Sequence, residues 1–244
     1  MTNTIPLILK PALKLRADML EYDYRIVRKT NRKTTSIIIK ANNEIEVRAP
    51  TRMPQQLIER FVQSKHAWIE KKLLFNRDHR TEYIPKSFTH GELFLLLGRT
   101  YRLKLETGKR SVQTEADKLL VSHPSPQPEN LRRQLTRWYR QQAEITFTQR
   151  SRIISELIGK QAKSIGIKAY KSRWGSCHAD GRIYYNWRLI MAPEWVIDYV
   201  VVHELCHLIH HNHSKAYWQL VESIAPDFRK AKSWLNTNGV SLDL

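Results

Sequence analysis

The chain has 244 residues, 41% of them hydrophobic, with a formal net charge of +18 and two cysteines. This suits one large domain or two small ones and excludes a disordered chain or a disulfide-built scaffold. No apolar run of about 18 residues occurs, and Lys10, Lys14 and Arg16 interrupt the early apolar stretch, so neither a secretory leader nor a membrane span is expected; the cytoplasm is the expected compartment.

The charge is uneven. Residues 1–165 hold 32 Lys and Arg against 16 Asp and Glu, whereas residues 166–244 hold 9 against 7. Such a basic part favours acidic partners, nucleic acid foremost, unless it is simply solvated.

Residues 1–20 carry little pattern and read as a loosely packed arm. Tyr22 to Lys29, Thr34 to Lys40 and Glu44 to Arg48 read as strands of a small antiparallel meander, with turns at Asn31-Arg32-Lys33 and Ala41-Asn42-Asn43. Pro54 opens an amphipathic helix to about Phe75, with Leu57, Ile58, Phe61, Val62, Trp68, Ile69 and Leu73 on its apolar side. Strands at Glu92 to Leu97, Tyr101 to Glu106 and Leu119 to Ser122 are assigned to the same N-terminal sheet.

Three prolines among residues 123–130 mark the expected domain boundary. The expected organisation is therefore a basic β-rich subdomain over 1–122, a linker over 123–130 and a second domain over 131–244. Leu131 to Gly159 reads as one long helix, its stripe including Leu131, Leu135, Trp138, Ala143, Ile145, Phe147, Ile153, Ile154 and Leu157. Arg132, Arg133, Arg137 and Arg140 near its start, beside Trp138 and Tyr139, could grip phosphates or be plain solvated charge.

Ile167 to Cys177 and Arg182 to Ile190 read as a hairpin around the Asp180-Gly181 turn. In its second strand Ile183, Tyr185, Trp187 and Leu189 alternate with Arg182, Tyr184, Asn186 and Arg188, so one face packs and the other is free to meet a ligand. Pro193 and Glu194 then suit the first turn of a helix. A strand passed straight into such a helix is an arrangement in which an extended peptide can lie along the sheet edge.

That helix carries His203-Glu204-Leu205-Cys206-His207, an H-E-x-x-H pattern. Its two histidines lie one turn apart, about 40° around the axis at about 100° per residue, so both can reach one metal ion. Val196, Ile197, Val200, Val201, Val202, Leu208 and Ile209 make the helix apolar nearly all round and therefore buried. Buried histidines and a glutamate need partners, and zinc would supply one. A catalytic zinc takes three protein ligands and a water. The third is expected to be His213, reached by a turn after about His211 with Ser214 capping a helix from Lys215 to Ile224; Glu222 on that helix is the rival. Cys206 reads as a small core residue, and His210 and His211 as residues outside the ligand set.

The runs Ser172-Arg173-Trp174-Gly175-Ser176-Cys177, Tyr185-Asn186-Trp187-Arg188-Leu189, Val201 to His207, and Asn212-His213-Ser214 with Tyr217-Trp218 resemble the YgjP-like metallopeptidase family, itself similar to the SprT-like zinc peptidases. The resemblance spans about Tyr24 to Trp234. It implies an α+β chain whose C-terminal part is zincin-like, one zinc ion on His203, His207 and His213, and Glu204 as catalytic residue. The spacing also matches metzincins, but His210 stands where their glycine would be and no methionine follows Met191, so nothing is carried over from them.

The expected function is hydrolysis of peptide bonds in a protein or peptide, with Glu204 accepting a proton from water and returning it to the leaving amine. Arg173, Trp174, Tyr184, Asn186, Arg188 and Tyr217 are the candidate cleft residues; Tyr184, Arg188 and Tyr217 are the candidates for stabilising the oxyanion. The rival is a basic nucleic-acid-binding protein with a structural zinc. Charge and the likeness to SprT-like proteins also allow a peptidase that works close to DNA.

Overall fold

The computed structural model describes residues 22–39, 43–78 and 85–244, together with the backbone of residues 13–14. Most of the expected arm over 1–20, and the expected turn residues 41 and 42, lie outside these. The chain is α+β and divides into two compact units, Met1–Arg80 and Thr81–Leu244.

In the first unit β1 (Leu13–Lys14), β2 (Asp23–Lys29), β3 (Ser36–Ile39) and β4 (Ile45–Pro50) form a sheet in the order β1-β2-β4-β3. The expected antiparallel meander is corrected: β3 pairs with β4 antiparallel, but β2 runs parallel to β4 along its other edge. The single helix expected from Pro54 is two, α1 (Gln55–Ser64) and α2 (His66–Asp78), separated at Lys65, whose N–H reaches back to Val62 in a tightened last turn. Ile58, Val62 and Ile69 meet Tyr24, Ile45, Val47 and Ala49 in a small core. Leu57 and Trp68, expected in the apolar stripe, are about half exposed, at 48% and 50%.

The second unit begins with β5 (Leu93–Leu96), β6 (Arg99–Thr107), β7 (Ser111–Glu115) and β8 (Lys118–His123), in the order β5-β6-β8-β7. This sheet is separate from the first, and β7, lost among polar residues in the sequence, was not anticipated. Phe94, Leu103, Leu119 and Val121 join Leu131 and Leu135 in one core with the C-terminal elements. The prolines of 123–130 therefore do not separate domains. Pro128 starts the helix α3 (Pro128–Ile158) at a position where its missing N–H costs nothing.

Along α3 the buried residues Leu131, Leu135, Tyr139, Ala143, Phe147, Ser151 and Ser155 recur every fourth position. That stripe leaves Ile145, Ile153 and Leu157 exposed, against expectation. Gly159, at φ +66, ends the helix in the left-handed conformation.

A third sheet follows, β9 (Ser164–Lys168), β10 (Gly175–Cys177) and β11 (Arg182–Asn186), in the order β10-β11-β9. The first hairpin strand expected over Ile167 to Cys177 is thus two strands, β9 parallel and β10 antiparallel to β11. The same unit, a strand followed by a hairpin whose return strand lies parallel to the first, recurs in all three sheets. Residues Trp187–Met191 form a short 3-10 helix leading to α4 (Glu194–Cys206), α5 (Lys215–Ile224) and α6 (Phe228–Asn238).

The β5–β6 turn positions the start of α4. Leu97 and Gly98, both at positive φ, make a two-residue hairpin turn whose N–H groups donate to Ile190 and Met191 carbonyls at 2.8 and 3.3 Å. A Cβ on Gly98 would lie 2.7 Å from Pro193 Cα. Gly98→Ala is expected to destabilise by about 2–4 kcal/mol, from left-handed strain plus overpacking, and Gly159→Ala, which faces open space, by about 1 kcal/mol. Urea unfolding of the two variants checks this; equal losses would remove the Pro193 contact as a cause.

Candidate metal centre

Helix α4 is buried on nearly every side: Val196, Ile197, Val201, Leu205 and Cys206 are fully covered. Arg150 of α3 clamps its first turns through Asp198, at 2.5 Å, and Glu194. The helix ends at Cys206, a turn earlier than expected, with His207 as its cap. Leu208, Ile209 and His210 then fold back through N–H bonds to Leu205 and Cys206. Asn212 Oδ1 accepts from Ser214 N–H at 3.2 Å, and Ser214 Oγ accepts from Tyr217 N–H at 3.3 Å, which fixes the return into α5.

This turn brings His213 back over α4. His203, His207 and His213 each offer one ligating atom, all within 4.8 Å of one another. His203 Nε2 and His213 Nε2 are 3.3 Å apart. Adjacent nitrogens on a tetrahedral zinc with bonds of about 2.0–2.1 Å stand about 3.3 Å apart. His207 Nδ1 lies 3.0 Å from the His210 carbonyl, which can only accept, so the proton sits on Nδ1 and the Nε2 lone pair is free. Burial first, then the neighbouring His207 and His213 and the Lys232 charge, push the His203 pKa down to about 3; burial likewise lowers that of His207. Both are therefore neutral donors at pH 7, the form that binds a metal. The three histidines fit zinc. His203 Nδ1 is buried with no hydrogen-bond partner among the described residues.

Tyr217 braces two of the three. Its hydroxyl donates to the His203 carbonyl at 3.0 Å, and its ring stacks on His207 with centroids 4.6 Å apart. It is fully buried, and with its hydroxyl engaged it acts as a wall of the site. Trp218 stacks on His213 at 5.5 Å.

Glu204 is 6% exposed and rests on β10. A Cβ on Gly175 would stand 2.4 Å from Glu204 Oε1 and 2.6 Å from its Cγ, so only glycine allows this approach. Burial pushes the Glu204 pKa up to about 8, opposed by the Arg173 charge and by a hydrogen bond from the Cys177 N–H. In the sequence Gly175 stands within the Ser172–Cys177 motif, and a glycine inside a strand is the usual mark of close approach by another group.

The other expected cleft residues divide. Arg173 is close enough for its charge to act on Glu204. Asn186 is a clamp: its amide donates to the Tyr170 and Arg173 carbonyls at 3.0 and 3.2 Å, holding the loop before β10. Trp174 packs over Gly239, and its carbonyl accepts from Asn186 N–H. Tyr184 is not brought to the cluster. Register pairs Gly175 with Tyr185 and Cys177 with Ile183, so alternation turns Tyr184 to the opposite face, against Gly166 and under Lys168 Nζ at 3.6 Å. Arg188 is bonded to Asp243 at 2.7 Å and lies over the Trp187 ring. Neither is available to an oxyanion. Glu222, the rival ligand, is half exposed and paired with Arg229 at 2.6 Å, which lowers its pKa. His210 contributes its carbonyl to the site, and His211 is exposed. Cys206 is a buried core thiol and Cys177 is half-buried; neither forms a disulfide.

A buried helix bearing a carboxylate between two neutral imidazoles, with a third histidine returned by a turn, is an arrangement able to hold a metal ion. The family described as YgjP-like, metallopeptidase domain, matches residues 33–238, and the chain belongs to that family. A crystal structure of the metallopeptidase zymogen of Pyrococcus abyssi abylysin is similar over 36% of this chain and 89% of its own, at 20% identity and a TM-score of 0.34. The comparison with curated proteins gave no match. No described helix is long and apolar enough to cross a membrane.

Zinc added to metal-free protein is expected to raise the melting temperature, a stabilisation of about 4 kcal/mol at a thousandfold excess over Kd. His213→Ala should weaken zinc binding at least about 100-fold, whereas Glu222→Ala should leave it unchanged. Calorimetric titration of both variants decides; zinc lost with Glu222 and kept without His213 would reverse the ligand assignment.

Proposed function

We propose that the chain is a zinc-dependent peptidase of zincin-like architecture, with one zinc ion held by His203, His207 and His213 and with Glu204 as the general base and acid. The observation that carries this reading is the pairing of a three-nitrogen cluster with a carboxylate pinned beside it on Gly175. Bound there, zinc supplies a Lewis acid that acidifies a water and polarises a carbonyl oxygen.

Glu204 takes the proton of the attacking water on a carboxylate oxygen and delivers it to the leaving amine as the C–N bond breaks. Its environment suits a group that must both accept and return a proton, since burial favours the neutral form while Arg173 and the Cys177 N–H favour the charged one. A divalent cation on the adjacent histidines adds to the second influence. Tyr217 and the turn from His207 to Ser214 hold the ligand rings, and Asn186 holds the loop that carries Arg173.

A structural zinc in a nucleic-acid-binding protein would take four protein ligands. Among the described residues no fourth His, Cys, Asp or Glu joins the three histidines, which supports the catalytic reading. Contact with nucleic acid through the basic residues 1–165 has only the net charge behind it.

Glu204→Gln should keep zinc affinity near that of the wild type and lower peptide hydrolysis by about 10²–10⁴-fold. Gly175→Ala should displace the Glu204 side chain and lower hydrolysis in the same direction with zinc still bound. Metal content and cleavage of a quenched fluorescent peptide, measured on the same samples, test both; undiminished turnover by Glu204→Gln would remove Glu204 from this role.

A further inference from the structure

Most cations of α3 to α6 that lie near a carboxylate are spoken for: Arg150 with Glu194 and Asp198, Arg188 with Asp243, Arg229 with Glu222, Lys230 with Asp227. Two cations beside the histidines and Glu204 differ. Lys232 and Arg173 are exposed and rest on aromatic rings; the charge of Arg173 acts on Glu204, whereas Lys232 forms no ion pair with a described carboxylate.

Lys232 lies on α6 four residues after Phe228, so both project from one face of that helix. Phe228 stacks on Trp218 with centroids 5.2 Å apart, and Lys232 Nζ stands 5.2 Å from the centroid of the same indole. Trp218 stacks in turn on His213 at 5.5 Å and lies 6.0 Å from the His203 ring. An indole face attracts an ammonium group, so Trp218 holds the lysine head one ring away from His213. Arg173 comes from another element, the loop before β10, with its guanidinium 5.6 Å from the Tyr170 ring centroid and its charge acting on Glu204.

A positive charge held near the histidines with no described carboxylate paired to it, as at Lys232, selects for a negatively charged ligand. We propose that Lys232 is the specificity determinant of the site and binds a carboxylate of the substrate peptide close to the scissile bond. The inference rests on the peptidase reading above and names its substrate class: peptides with an acidic side chain, or a free C-terminal carboxylate, beside the cleaved bond. Lys232 is exposed and its stem fills no core position, so its replacement leaves the fold intact.

The test uses the zinc-loaded Glu204→Gln protein, which binds peptide without consuming it, and fluorescent peptides that differ only by Glu against Gln beside the scissile bond, each as free acid and as C-terminal amide. Binding is read by anisotropy. The better carboxylate-bearing peptide should bind about three- to tenfold tighter than its neutral partner. That preference should vanish when Lys232→Met is added and turn against the carboxylate with Lys232→Glu. Dependence on the Glu/Gln pair places the carboxylate on a side chain; dependence on the acid/amide pair places it at the C-terminus. Equal binding of all four peptides, or a preference that survives Lys232→Met, overturns the proposal. Hydrolysis of the same peptides by the protein with Glu204 intact reports separately: a Lys232-dependent preference without any cleavage would sink the peptidase reading and leave the carboxylate site standing.

Discussion

The approach of Glu204 to the backbone of β10 is the constraint on which the site depends. A helix as apolar as α4 can take a carboxylate into the interior only if something offsets the several kcal/mol that its burial costs. Here the offset is local. Gly175 removes the side chain that would fill the space, the Cys177 N–H donates to the carboxylate, and Arg173 supplies positive charge from the same segment. All three belong to five residues of chain, so the strand that admits Glu204 also tunes it.

The rest of the second unit holds that contact in register. Tyr185 and Ile183, opposite Gly175 and Cys177, anchor the sheet to α3 through Phe147 and the Ser151 hydroxyl. Asn186 ends β11, ties down the loop before β10 and starts the 3-10 helix by accepting from Arg188 N–H. The Leu97-Gly98 turn then binds the backbone of that 3-10 helix and abuts Pro193, where α4 begins. At the other end of α4, Tyr217 bonds to the carbonyl of one ligand residue and stacks on the ring of the next. Contacts at both ends of the helix leave the three imidazoles little freedom to drift apart.

What could be read from the sequence follows the reach of each signal. The metal helix and its cap were legible because H-E-x-x-H, Ser214 and the apolar periodicity are local patterns along one chain segment. Strand pairing was not. Nothing in Asp23–Lys29 says that its partner is β4 and not β3, and β7, with Gln113, Thr114 and Glu115 exposed, carries no apolar alternation to announce it. The prolines of 123–130 were misread for a related reason: a helix tolerates Pro128 in its first turn, and only the long-range packing of Leu119 and Val121 with Leu131 shows that no boundary falls there. Tyr184, the cleft candidate, sits one position from Tyr185 in β11, and strand alternation turns it away from the Glu204 face.

The same limit explains Lys232. It lies 25 residues beyond His207 by number, on a helix that reads as an ordinary polar-faced segment, and nothing around it in sequence distinguishes it from Lys230. The fold separates them. Lys230 turns to Asp227 at the cap of its own helix, whereas Lys232 is drawn over an indole that is itself stacked on His213. The strongly basic first two thirds of the chain therefore need not supply the charge that meets a substrate. In a C-terminal third that is nearly neutral, Lys232 stands out because no described carboxylate pairs with it, and short-range attraction between charges is screened by salt less than long-range attraction.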